Sequence, residues 1–232
     1  MSRTFTLADS QTLDDLQVFL ARAARIEEGS VRLIGGSGVL AVYVAVFYPV
    51  GLLDESPTVL GLRTIALAPN AAGAAEEFDV VVPIRSLLTR LENAQGVRAA
   101  NPSIVGTIAI SLPMEVNTVT WAAISPPRGS WHPVSATSGA VLDVAARAGI
   151  DEVAAAIPDA VGEQIVRRVR SEVWARPIPG LEHVPAGAAF AALGLGFLGD
   201  DEVRIFETGP WTRLSTQRGH ILVKRKAWTL AR

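Results

Sequence analysis

Apolar and polar positions along this chain alternate over short stretches and recur at helical spacing over longer ones, which predicts a mixture of strands and amphipathic helices. Thr4 to Leu7 alternates and predicts a first strand. Thr12 offers an N-cap with Asp15 at the third helical position. Leu13, Leu16, Leu20 and Ala23 fall on one face, so residues 12–25 are expected to be helical. Val31–Ile34 and Val39–Tyr48 read as two strands about a glycine-rich turn, the second too rich in β-branched residues for a helix. Thr58–Ala68 and Phe78–Val82 predict two more strands. Pro83 stands where a helix can begin, and Ile84, Leu87, Leu88 and Leu91 form its apolar stripe.

Asn93 to Pro102 is polar or small and ends in Asn-Pro, so it reads as a linker. The expected organisation is an N-terminal half over 1–97 and a C-terminal half over 98–232. In the second half Ile104–Leu112 and Val119–Ile124 read as strands. Ser125 to Gly129 must be a loop, because Pro126-Pro127 fits neither ladder nor helix interior. Helices are expected over 138–148, 151–157 and 160–174, the last burying Val161, Ile165, Val166, Val169 and Val173. Glu163/Arg167 and Arg168/Glu172 are spaced to pair on its wet side. Ala186–Leu198 is almost entirely apolar, as expected of a helix inside a core or at an interface. Val203–Phe206, Trp211–Leu214 and His220–Lys224 then predict a three-stranded meander. The fold class is α+β, with two sequential halves, each an antiparallel sheet backed by helices.

Composition narrows the classes. The chain has 232 residues, 49% hydrophobic and 19% charged, and no Cys. Disorder is excluded as the main state by the apolar fraction, and disulfide frameworks, thiolate metal sites and cysteine nucleophiles by the absence of Cys. The net charge of −2 is unevenly spread: residues 1–100 and 101–200 carry −3 each, residues 201–232 carry +4. Beyond Glu207 stand Arg213, Arg218, Lys224, Arg225, Lys226 and Arg232 with no acid to offset them. The start, MSRTFTLADS, lacks the continuous apolar core of a secretory signal, so a cytoplasmic protein is expected. Leu33 to Leu53 holds no charge and is long enough to cross a bilayer, but Gly35, Gly36, Gly38 and Pro49 favour a buried hairpin. No membrane partner is expected.

Gly194-x-Gly196-x-x-Gly199 has the spacing of a dinucleotide-binding turn, which needs a strand before it and a helix after it. Here a helical segment precedes and a strand-like one follows, so the reading is a helix C-cap and no cofactor is expected. Gly36-x-Gly38-x-x-Ala41 reads as a hairpin turn for the same reason. The acidic doublets, such as Asp14-Asp15 and Asp151-Glu152, point their carboxylates to different faces and suit wet helix starts. His132, His183 and His220 have no metal-ligand spacing, and no metal is expected.

Two constellations are candidates for binding. Trp121, Arg128, Trp131 and His132 surround a stiff proline loop, where Arg128 could clamp an anion and Trp131 stack on a ring; the alternative is that the indoles pin the loop to a core. Trp211, Arg213, Ser215, Arg218, His220, Lys224 and Arg225 alternate bases with an aromatic over strands, which suits a phosphate track on a β-surface. An ordinary charged edge strand accounts for them equally.

The segments WAAISPPRGSW (121–131), GFLGDDEV (196–203) and WTRLSTQRGH (211–220) resemble those of conserved, functionally uncharacterised proteins of high-GC Gram-positive bacteria, a resemblance that implies no activity or cofactor. The order strand, helix, hairpin, strands, helix in the first half resembles one repeat of a sliding-clamp fold; an order of elements implies a fold and no function. The expected function is that of a cytosolic, non-enzymatic binding or assembly protein that self-associates. The alternatives are nucleic-acid binding on the basic C-terminal β-surface, and an enzyme holding a small anionic substrate at the Trp121–His132 loop.

Overall fold

The structure is a computed structural model and describes residues 3–49, 54, 56–69, 77–101, 103, 106–157 and 162–225. It divides into two compact units, Met1–Val44 with Leu62–Ile124, and Ala45–Gly61 with Ser125–Arg232. The chain is α+β as expected, and both units combine antiparallel strands with helices. The boundary expected at 97/98 lies inside a helix, and the units part after Ile124 instead.

The first unit contains β1 (Thr4–Leu7), α1 (Ser10–Ile26), β2 (Ser30–Gly36), β3 (Val39–Phe47), β4 (Thr58–Ala66), β5 (Phe78–Pro83), α2 (Ile84–Ala100) and β6 (Ile108–Ser111). The ends of β3 and β4 nearest residues 48–57 count with the second unit. Its strands run in the order β5-β2-β3-β4, with β1 and β6 paired separately. Ser37 and Gly38, at φ 51° and 75°, join β2 to β3 in the left-handed conformation that a two-residue hairpin turn requires. That hairpin occupies the charge-free stretch, whose residues 50–53 lie outside the described residues. No helix among the described residues is long and apolar enough to cross a membrane.

Asp9, rather than Thr12, caps α1: its carboxylate accepts from the Thr12 backbone N–H at 2.8 Å. Leu13, Leu16, Phe19 and Leu20 enter the core with Phe5, Leu33, Leu87 and Leu91. Each of these side chains contributes about 2 kcal/mol by leaving water. α2 runs through the expected linker to Ala100, because the polarity of residues 92–100 belongs to the wet face of a helix; Pro102 lies outside the described residues. Of the expected strand 104–112, Ile108–Ser111 forms, and Ile104 lies outside the described residues. Val119–Ile124 is a single 3-10 turn over Thr120–Ala123 rather than a strand. Arg32 on β2 holds it, donating from Nη1 to the Ala122 carbonyl at 2.7 Å. The same guanidinium grips the Asp79 carboxylate on β5 with Nε and Nη2 at 2.8 and 2.7 Å.

The second unit contains β7 (His132–Ser138), α3 (Gly139–Ala156), α4 (Glu163–Ala175), β8 (Pro177–Ile178), β9 (Leu181–Pro185), α5 (Ala186–Gly194), β10 (Glu202–Thr208), β11 (Trp211–Ser215) and β12 (His220–Lys224). The last three strands form the expected meander, and β7 adds to its far side in the order β12-β11-β10-β7. Val203, Ile205, Leu214, Ile221 and Val223 are buried, with α5 packed against β12. By the two-residue period Arg204, Phe206, Arg213, Ser215 and His220 occupy the other face.

The expected break after residue 148 does not occur. α3 continues through Gly149 because a hydrogen there makes room for Trp174 of α4; a Cβ would fall 2.3 Å from the indole. Trp174 also stacks on Phe190 of α5, centroids 4.5 Å apart. On α4, Val173 is buried but Ile165 is 51% exposed, a correction to the expected buried stripe; Val161 and the Glu163 side chain lie outside the described residues. Arg168 and Glu172 pair at 3.0 Å. The apolar α5 is core, and it ends in a cap with Gly196 at φ 73° and the Phe197 N–H on the Ala192 carbonyl.

Candidate functional site

The feature on the open face of the second unit that is not explained by packing is the environment of Arg213. β11 places Arg213 opposite Phe206 on β10, through the tight connection Gly209-Pro210. The register brings the guanidinium carbon to 4.5 Å from the Phe206 ring centroid, and on another side Trp131 lies at 4.6 Å. Trp131 is held in turn by its indole N–H, which donates to the Pro127 carbonyl at 3.1 Å. Among the described residues no hydrogen bond or ion pair engages the Arg213 side chain, and its Nε is buried without a partner. Burial accordingly pulls the Arg213 pKa below its ordinary value.

His220 begins β12 beside Ser215, and its Nδ1 lies 2.9 Å from the Ser215 Oγ. Burial, and then the neighbouring Arg213 charge, hold its imidazole below the ordinary value of 6.5, so it is neutral at pH 7. Arg213, Ser215 and His220 line an open cavity of about 390 Å³ with Asp201, Glu202, Arg204 and Phe206. The arrangement offers a positioned cation with unused in-plane donors beside a neutral imidazole and a hydroxyl. A second cavity of about 520 Å³ has Pro57, Pro177 and Pro185 in its wall with Glu182 and His183. Among the described residues no group of three His, Asp or Glu is placed to hold a metal ion.

The two sequence constellations are redistributed. Trp121 is buried in the first unit at the 3-10 turn. Arg128 and His132 are exposed, neither side chain has a hydrogen bond among the described residues, and they line neither cavity. Trp131 alone of that set joins the Arg213 group. Of the C-terminal set, Arg213, Ser215 and His220 converge. Trp211 is buried at 4% exposure. Arg218 turns away to the Leu198 carbonyl at 2.6 Å, and Arg225 pairs with Glu207 at 3.2 Å. Lys224 is half-buried opposite Trp211, and Lys226 and Arg232 lie outside the described residues. Phe206 was not singled out by sequence; the Gly209-Pro210 turn, which fixes Phe206 against Arg213, is the signal that would have found it.

Two domain families match the chain: a domain of unknown function (DUF8010) over residues 1–111, and a domain of unknown function (DUF8185) over residues 126–228. The fold resembles that of bacterial sliding clamps. The whole chain aligns with the DNA polymerase sliding clamp of Bacillus subtilis at a TM-score of 0.50 and 8% identity, covering 66% of that protein. For the Caulobacter crescentus sliding clamp the TM-score is 0.49 at 9% identity, with 99% of this chain and 67% of that one covered. For the DNA polymerase III subunit beta of Pseudomonas aeruginosa it is 0.48 at 13% identity, with 99% and 66% covered. The chain thus spans about two thirds of the length of the clamps it resembles. At such identities the likeness is one of fold. No curated protein matches the sequence.

Proposed function

We propose that this chain is a non-enzymatic binding and assembly protein that associates with further copies of itself. The observation that carries the reading is the state of β7. It ends the strand order, and six of its seven residues, all but Thr137, are exposed. It holds no Asp, Glu, Lys or Arg, the usual protection of a sheet edge. Pro133 and the register shift beside it blunt only one end, leaving Ser135 to Ser138 as a pairing edge. β7 runs directly into α3, on which Val141 and Val144 stand 44% and 68% exposed at helical spacing, continued by Ala148. An unprotected edge next to an apolar helix face suits a self-complementary contact.

The fold shared with the Bacillus subtilis sliding clamp supports an assembly role in preference to catalysis. A nucleic-acid partner on the C-terminal β-surface is less well supported, since Arg218 and Arg225 are engaged within the fold and Arg213 is enclosed by rings. The enzyme reading needs the loop residues to converge, and Arg128 and His132 stand apart from the cavities.

Light scattering on a sizing column decides the matter. The expected result is a dimer or larger species at micromolar concentration that V144D, or V141E with S135P, converts to a folded monomer. A wild-type monomer throughout, or an assembly indifferent to these changes, overturns the reading. Salt-dependent binding of labelled duplex or single-stranded DNA to wild type, lost in R213A, would support the nucleic-acid partner instead.

A further inference from the structure

A guanidinium has five N–H donors in one plane and is costly to enclose without acceptors. Arg213 is nevertheless enclosed on the meander: its Nε is unpaired and shut off from solvent, which leaves the outer Nη edge to meet a ligand, and the contacts that position it are the rings of Trp131 and Phe206. Rings stacked on a guanidinium cover its faces and leave its edge for hydrogen bonding. An edge-on guanidinium held rigidly is complementary to a planar, two-oxygen acceptor. The polar groups lining the cavity are engaged elsewhere: Ser215 and His220 bond each other, Asp201 accepts from the Gln217 N–H at 3.0 Å, and Glu202 lies 3.9 Å from Arg204.

We propose that the Arg213 cavity receives a single carboxylate of a partner polypeptide, either an Asp or Glu side chain or a chain terminus. The inference goes beyond self-association and stands whether or not copies of this chain assemble. Charge selects the carboxylate. Arg204 and Arg213 contribute two positive charges to the cavity, and Asp201 and Glu202 offset them. His220, neutral at pH 7, adds none. The cavity as a whole is close to neutral and so has no field that favours a dianion or polyanion, and the attraction that is left is the short-range one between a single negative group and the Arg213 edge. The about 390 Å³ of the cavity is room enough for a carboxylate-bearing residue of an extended segment.

The test uses the full chain and four peptide probes. Three are blocked at both ends and share the sequence Gly-Ala-X-Ala-Gly, with X as Glu, Gln or phosphoserine; the fourth carries Gln with a free C-terminus. Binding is followed by NMR at the Trp131 indole N–H and the His220 ring. The Glu probe, the free-terminus probe or both are expected to shift these signals saturably, and the blocked Gln probe is not. Which of the two acidic probes binds more tightly identifies the carboxylate source. R213M keeps an apolar stem between the rings and is expected to weaken binding roughly tenfold or more. R213K, which keeps charge but not the forked edge, covers the case in which R213M does not fold and is expected to weaken binding likewise. Equal binding of Glu and blocked Gln, unchanged affinity in R213M or R213K, or tighter binding of phosphoserine than of Glu overturns the proposal, the last by making the site one for phosphate.

Discussion

Arg213 packs against Trp131 with the guanidinium carbon 4.6 Å from the ring centroid, so a cation on an indole ties the 125–131 loop to the meander. The indole N–H is anchored to Pro127, and the Arg is fixed by its strand register opposite Phe206. The contact therefore couples a proline loop to a sheet without a salt bridge. Screening by salt should affect it little, since the attraction is short-ranged and part-buried.

Removing one wall tests that coupling. W131L is expected to lower stability by about 1 kcal/mol, and F206L by a similar amount. In the double variant the two losses should be non-additive, since both rings hold one guanidinium. Urea unfolding at low and high salt measures both points; additive losses would mean that the rings act as separate packing residues.

His220 supplies a pH dependence with a definite sign. Its folded pKa lies below the unfolded value of 6.5, because burial and Arg213 disfavour the imidazolium; Arg204, Asp201 and Glu202 face the same cavity. Between the two values the unfolded chain binds more protons, so stability rises with pH there. The His220 contribution is complete above pH 6.5 and is lost as the pH falls through the folded pKa. In H220Q the fall in stability from pH 8 to pH 5 should be smaller than in wild type, as read by thermal melts. An unchanged pH profile would show that His220 titrates alike in the folded and unfolded chain.

Arg32 should be sensitive even to a charge-conserving change. Its two bonds to Asp79 and one to the Ala122 carbonyl join β2, β5 and the 3-10 turn, and the side chain is only 15% exposed. R32K cannot make all three, and a loss of about 2 kcal/mol is expected, with R32M losing more. Chemical denaturation checks the ranking; a lysine as stable as the wild type would reduce the triple contact to a surface ion pair.

Two glycines of the second unit separate conformational from steric need. A Cβ at Gly139 would lie 2.4 Å from the Gly199 carbonyl oxygen, which is backbone and cannot rotate aside. At Gly149 it would meet the Trp174 ring. Both sit in α3, where alanine alone would be worth about 1 kcal/mol in helix propensity. G139A and G149A are nonetheless expected to destabilise by about 1–3 kcal/mol, with G139A the worse, in melts monitored by circular dichroism. A stabilised G149A would mean that Trp174 can move without loss.

Local pattern carried the α+β class, the hairpin at Ser37-Gly38, the C-cap at Gly196 and the terminal meander, because strand alternation, turn glycines and helix stripes are all written over a few neighbouring residues. It failed where polarity had two meanings. Residues 92–100 are polar because one side of α2 faces water, and Gly149 sits mid-helix because a tryptophan from α4 needs its space. Composition also marked Trp131, Arg213, Ser215 and His220 as chemically able, but in two separate groups. That Trp131 leaves Trp121 for Arg213, and that Phe206 completes the enclosure, depends on the pairing of β10 with β11 and of β7 with β10. Register is a property of strands brought together, and a shift of one residue would turn each of these side chains to the opposite face.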